Sequence, residues 1–303
     1  MPRFGVGAIV ALILITFAVN PDRLVSGAAT PSGLPRLRLT ERRQSKLDLE
    51  IGTDPAGAAA GTRRFVSREE LLKLPQVSYT ASDDANFQKP VEISGVLLED
   101  LAKELGAESA RMMVVAICSD QYQANYPKDY VTAHHPVLVL KIDGQGPDDW
   151  PKDAEGHSQY LGPFLISHAK FAPSFKILAH EDEPQIPWGV VRLEFRYEEK
   201  VFGAIAPRGP RAGDAGVKAG FRIAQQNCFR CHNMGEEGGK KAGMPWQVLA
   251  IWASTSPERF TAYVRNPQKV NAKSQMSASP QYDDATMAAL IEYFKTFAGE
   301  FQR

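Results

Sequence analysis

Cysteine is scarce in this chain: three residues in 303, at positions 118, 228 and 231. Three thiols cannot make a disulfide scaffold, so the fold must rest on buried apolar cores, for which this length is ample. An excess of charge of one sign is missing too, because 35 Lys and Arg balance 35 Asp and Glu. With no basic stripe and no acidic tail, nucleic acid is not an expected partner. Long apolar runs are absent after residue 19, which leaves no candidate for a bilayer span in the rest of the sequence. What remains is 44% hydrophobic and 23% charged, the balance of a globular protein with room for two domains.

The beginning is the exception. Arg3 precedes an uncharged run from Gly5 to Val19, and Asn20, Pro21, Asp22 and Arg23 break it. Small residues at Ser26–Ala29 then offer a cleavage site. The run is short for a span of about 20 residues, so residues 1–28 are expected to be an export signal, with an uncleaved anchor as the alternative. Membrane contact is expected only in that second case.

Two of the three cysteines and one of six histidines fall together in Cys228-Phe229-Arg230-Cys231-His232. This is C-x-x-C-H, the attachment signature of a c-type haem. Two thiols three positions apart lie on one side of a helical turn and reach two vinyl groups of one porphyrin. His232 is then placed under the iron as its proximal ligand. Zinc would need two further Cys or His ligands nearby, and a thioredoxin-like pair would need a βαβ setting; neither is present. One covalent haem c per chain is expected, and export agrees with it. Cys118 follows the apolar run Val114–Ile117 and reads as a buried, inert thiol.

Breaks in pattern divide the chain. Residues 29–63, with Pro31, Gly33, Pro35 and a Pro-Ala-Gly-rich stretch at 55–61, read as a mostly irregular tether. Residues 206–213 hold two Pro, two Gly and two Arg and read as a linker. Between them, residues 64–205 read as mixed α and β. Ser67 caps a short helix, Leu98, Leu101 and Leu105 mark a second, and Met112–Ile117 and Val137–Ile142 are buried strands. Val191, Leu193, Phe195 and Tyr197 alternate, so one face of their strand should be polar. His134, His135, His157, His168 and His180 are expected to be satisfied or exposed histidines rather than ligands. Residues 214–303 read as all helical: Ala215–Asn227, Met244–Ala253, a helix opened by Ser256-Pro257 and closed near Asn266-Pro267, and a last one capped by Asp283 or Asp284.

In motif and in order, the last segment resembles a class I cytochrome c domain: a helix leading into C-x-x-C-H, a loop-rich middle and a closing helix with aromatics at Tyr293 and Phe294. Gly220 stands eight residues before Cys228, where that family often has Gly, and fits close packing of first helix on last. The resemblance implies a distal Met ligand from a loop. Met234 is too near the proximal His, Met287 lies on an apolar helical stripe and Met244 opens a helix. Met276, in the polar loop Asn271–Pro280, is the candidate, although Ser277 follows it where the family usually has Pro. Trp246, Trp252 and Arg265 are as well explained by packing as by haem contacts.

Residues 64–205 resemble, more diffusely, the sulfite oxidase-type molybdopterin-binding fold. The pieces are "FVSREELLKLP", "ISGVLLEDLAKELG", "VVAICSDQYQANYP", "LVLKIDGQ", "GPFLI" and "WGVVRLEF", in the family's order. The implied architecture is therefore multidomain, an α+β fold of that type followed by an all-α cytochrome c domain. The family's molybdenum-ligating Cys precedes the "GVLLEDL" helix, yet no Cys lies between Phe65 and Leu105; Thr80–Asp83 stands there instead, and Cys118 comes too late. A dithiolene-bound metal prefers a thiolate, so the fold is expected without molybdopterin. The favoured expectation is a periplasmic one-electron carrier with a His232/Met276 haem, whose preceding domain docks or modulates a redox partner, an oxidoreductase or another cytochrome. The alternative is a sulfite dehydrogenase-like enzyme whose haem takes electrons from a molybdenum site.

Overall fold

Short, mostly apolar strands dominate the chain up to Tyr197, and helices make up the rest. The computed structural model describes residues 37–53, 63–107, 111–151, 161–169, 171, 180–297 and 299. The expected export signal at 1–28 and His157 lie outside them. The sheet strands are β1 (Leu39–Thr40), β2 (Leu49–Thr53), β3 (Arg64–Val66), β4 (Val77–Ala81), β5 (Val91–Leu97), β6 (Met112–Cys118), β7 (Gln123–Tyr126), β8 (Pro136–Ile142), β9 (Phe164–His168) and β10 (Trp188–Tyr197). Between them run α1 (Arg68–Leu71), α2 (Leu98–Glu104) and α3 (Lys128–His134). The strand order is β1-β3-β2-β10-β9-β8-β5-β4, with β6 joining β10 to β7, and only the β2–β10 pair is parallel among those described. The mixed sheet is followed by α4 (Glu198–Gly203), α5 (Ala215–Asn227), α6 (Trp246–Thr255), α7 (Pro257–Arg265), α8 (Pro267–Val270) and α9 (Asp284–Lys295).

One local reading needs correction. Residues 37–53, taken from composition as tether, instead carry β1 and β2, and Leu49 and Ile51 are buried. Their pairing partner in β10 lies over 130 residues away, so no local pattern announces it. His134 and His135 end α3, and His135 closes it in the left-handed conformation, φ 45°. Ser67 accepts the Glu70 N–H at 3.2 Å and Asp283 accepts that of Thr286 at 2.8 Å, as capping predicts, whereas the Ser256 side chain makes no capping bond.

β6 explains how the halves join. Side chains alternate across a strand, so Val114, Ala116 and Cys118 enter the core of the sheet segment. Met113 and Val115 point the other way. There they pack with Val201, Phe202 and Ile205 and with the helical residues Val217, Phe229, Trp246, Tyr293 and Phe294 in one continuous apolar cluster. Arg36–Arg303 is accordingly one compact unit. β10 shows the expected polar face, with Arg192, Glu194 and Arg196 forming ion pairs beside buried Leu193 and Phe195. A register shift between Val190 and Arg192 puts Val190, not Val191, into the core.

The histidines find partners: His134 with Asp182 at 3.0 Å, His135 with Glu99 at 2.6 Å, His180 with Glu183 at 3.4 Å. His168 is fully buried on β9. Gln185 donates its backbone N–H to the Tyr130 hydroxyl at 2.8 Å, and that hydroxyl is paired with His168 Nε2 at 3.0 Å. Burial, reinforced by His134, lowers the His168 pKa to about 3. A lowered histidine pKa means that the unfolded chain takes up the proton first. Stability should therefore fall as pH drops below about 6.5 and keep falling toward 3, by a contribution on the order of 5 kcal/mol. Denaturant melts of wild type and His168→Gln across that range check this; a variant with the same acid sensitivity contradicts it.

Candidate haem site

α5 delivers the pentapeptide. Its apolar residues Val217, Gly220, Ile223 and Ala224 recur at helical spacing and face α9. Gly220 makes that contact possible: a Cβ there would lie 2.1 Å from the Ala289 carbonyl oxygen and 2.8 Å from the Tyr293 Cβ. Cys228 caps the helix, and the N–H groups of Cys231 and His232 both donate to its carbonyl, at 3.2 and 3.0 Å, coiling the thiols and the imidazole into one turn. Cys228 and Cys231 are half-buried free thiols. Burial raises both thiols, Cys228 to about 12, so they are neutral at ordinary pH.

His232 is 9% exposed. Its Nδ1–H donates to the Met244 carbonyl at 2.6 Å, and burial lowers its pKa, so the ring is neutral with the Nε2 lone pair directed away from that bond. A second-sphere carbonyl on one nitrogen and a free lone pair on the other is what an iron-ligating imidazole needs. Two reduced thiols three residues apart complete a donor set that fits a covalently bound haem.

A pair of glycines holds the turn from below. Gly238 has φ +90°, and a Cβ there would meet the Phe229 ring at 2.5 Å; one on Gly239 would meet the Arg230 oxygen at 1.8 Å. Gly239 N–H donates to Phe229 O at 2.9 Å. The sheet holds it from the side. Gln123 N–H, on β7, donates to the Arg230 carbonyl at 2.9 Å, and Lys240 N–H donates to Gln121 O at 3.0 Å. Arg196 on β10 grips Glu237 with two bonds of 2.9 and 2.7 Å. The Arg230 guanidinium turns into the sheet segment toward Glu183, 3.8 Å away and 5% exposed. Burial pulls Arg230 down in pKa, but Tyr122 and Glu183 outweigh it and keep the guanidinium charged. Gln185 Nε2 donates to Gln226 Oε1 at 2.5 Å and Asn227 Nδ2 to His180 O at 2.9 Å, adding to the same seam.

The methionines separate by position. Met287 is buried in the helical core. Met234, Met244 and Met276 are half-buried against it. Met244 gives its carbonyl to His232, on the side of the ring away from the free nitrogen. Met276 lies on the loop after α8, as the sequence indicates. Trp246 is buried between Phe229 and Phe294, Trp252 stands edge-on to Tyr263, and Arg265 bonds Tyr282 O and Asp284. Cys118 is 4% exposed, and burial raises its thiol strongly. No group of three His, Cys, Asp or Glu arranged for a metal occurs among the described residues, and no described helix is long and apolar enough to cross a membrane.

Residues 215–294 match the family model for cytochrome c oxidase, cbb3-type, subunit III. The helical segment is a cytochrome c domain. The cytochrome domain so matched contains the whole pentapeptide, Met276 and nearly all of α9. No curated protein matches the chain. Among solved structures, the sulfane dehydrogenase SoxCD from Paracoccus pantotrophus is similar at 15% identity, with a TM-score of 0.34, over 57% of this chain and 45% of that one. The chain thus spans less than half of that protein, and so slight a likeness carries no weight for function.

The sequence located the cytochrome domain and its turn. It did not single out Arg230, Gly238 or Gly239. The glycine pair was the available signal, since adjacent glycines so near a cofactor turn mark a close backbone approach.

Proposed function

We propose that this protein is a periplasmic electron carrier with one haem c, bound through Cys228 and Cys231 and ligated by His232 and Met276. The observation that carries the reading is the His232 imidazole, neutral, buried and anchored through Nδ1 to the Met244 carbonyl inside a C-x-x-C-H turn. A haem bound there supplies a one-electron ferric/ferrous couple. His232 and Met276 would hold the iron in both states, so that little need rearrange between them. His232 needs no proton change, because its second nitrogen keeps the same carbonyl partner. The sheet segment contributes rigidity and a surface for the redox partner. Gln123, Arg196 and Arg230 fix the turn to it, which favours a haem held at a set orientation over one swinging on a tether.

Met276→Ala tests the ligand set. The variant should keep its covalent haem, lose the sulfur-to-iron charge-transfer band, shift to a lower midpoint potential and bind cyanide or carbon monoxide readily. An unchanged spectrum and potential would show that another group holds the distal position.

A further inference from the structure

We propose that Tyr263 and Gln268 are positioning residues that hold the Met276 sulfur in place. The inference rests on the reading of Met276 as distal ligand. The loop from Asn271 to Pro280 is polar and largely exposed, so apart from the half-buried Met276 side chain hydrophobic packing does little to fix it. Hydrogen bonds do. Gln268 Nε2, on α8, donates to the Met276 carbonyl at 2.9 Å and to the Ser274 carbonyl at 3.2 Å. Met276 N–H donates to Ser274 Oγ at 3.3 Å. That hydroxyl is paired with the Tyr263 hydroxyl at 2.8 Å, and the Tyr263 ring stands edge-on against Trp252, 5.3 Å away. Both backbone polar groups of Met276 are therefore held by side chains that trace back to α7 and α8. Asn266 supports the arrangement: its Oδ1 accepts the Lys269 N–H at 3.2 Å and caps the short helix that presents Gln268. Farther along, Ser279 N–H donates to Val264 O at 3.1 Å, closing the loop onto α7.

The physical consequence concerns the loop's opening equilibrium. A methionine on a free polar loop leaves the iron often, and each clamp bond opposes that. Losing the two Gln268 bonds should raise the open fraction by about tenfold, a modest effect because both bonds lie at an exposed site. Gln268 is exposed, so its replacement should not endanger the fold.

The test uses full-length protein matured with covalent haem, in four forms: Gln268→Ala, Gln268→Glu, Tyr263→Phe with Gln268→Ala, and Met276→Ala. The readouts are the sulfur-to-iron charge-transfer band, the midpoint potential and the rate of cyanide binding to the ferric form. Gln268→Ala should weaken the band and speed cyanide binding by about tenfold. Gln268→Glu keeps the size but cannot donate to two carbonyls, so it should behave at least as poorly. The double variant should go further, with haem content unchanged. Wild-type bands and cyanide rates in Gln268→Ala and Gln268→Glu, with the band lost in Met276→Ala, overturn this inference and leave the ligand assignment standing. A band that survives Met276→Ala overturns both.

Discussion

Exported protein in which Cys228 and Cys231 are both alanine is expected to carry no haem that survives denaturing extraction. Thioether bonds to these two sulfurs are the only covalent hold the turn offers, and Cys118 is buried on the sheet side of β6. His232 would remain, but one nitrogen bond is a weak anchor without the tethers. The loss should extend to the fold. Phe221, Cys228, Met244 and Met276 are half-buried against the helical core. Heat denaturation of the double variant should therefore begin well below that of the matured protein, because ligand binding stabilises the state it binds. Retention of covalent colour in the double variant would contradict the assignment.

Gly220→Ala should strongly disrupt the packing of α5 on α9 in the cytochrome domain. The new Cβ would overlap the Ala289 carbonyl, at 2.1 Å from oxygen and 2.6 Å from carbon. These are backbone atoms, so no rotamer relieves the clash; α5 and α9 must separate. α9 is not free to move, because Tyr293 donates its hydroxyl to Ile205 O at 2.6 Å and Phe294 packs on Trp246 and Phe260. Overpacking of this kind costs about 3 kcal/mol or more. Gly216, on the same helix, has nothing within 4 Å of its would-be Cβ. Gly216→Ala should be neutral or stabilising by up to about 1 kcal/mol, since alanine favours the helix. Thermal melts of both variants check the contrast, and a Gly220→Ala protein that melts like wild type refutes the helix contact.

The residues that could be read from sequence are those whose physics is local. α5 has the boundaries its periodicity gives, Ser67 and Asp283 cap as their chemistry predicts, and Gly220 packs two helices as its place before the turn suggested. What escaped is nonlocal. β2 has no neighbour in sequence to reveal its parallel partner, and its five residues resemble a loop when read alone. Met112–Ile117 reads as a buried strand, but nothing in the run tells that its second face is covered by the cytochrome domain. A linker drawn at 206–213 separates two patterns without separating two cores. Arg230 sits at a position where C-x-x-C-H tolerates any residue, so its partner in the sheet segment is visible only in three dimensions.

Protein made in a host that synthesises molybdopterin is expected to carry no stoichiometric molybdenum, and one molybdenum per chain would contradict a purely docking role for the sheet segment. The haem is the more basic matter. Its most direct test is intact and peptide mass measurement on exported, matured protein, with an optical spectrum of the same sample. The account predicts one haem's added mass on the peptide that holds Cys228 and Cys231, and a low-spin spectrum. A colourless protein whose two thiols both accept an alkylating reagent would contradict it.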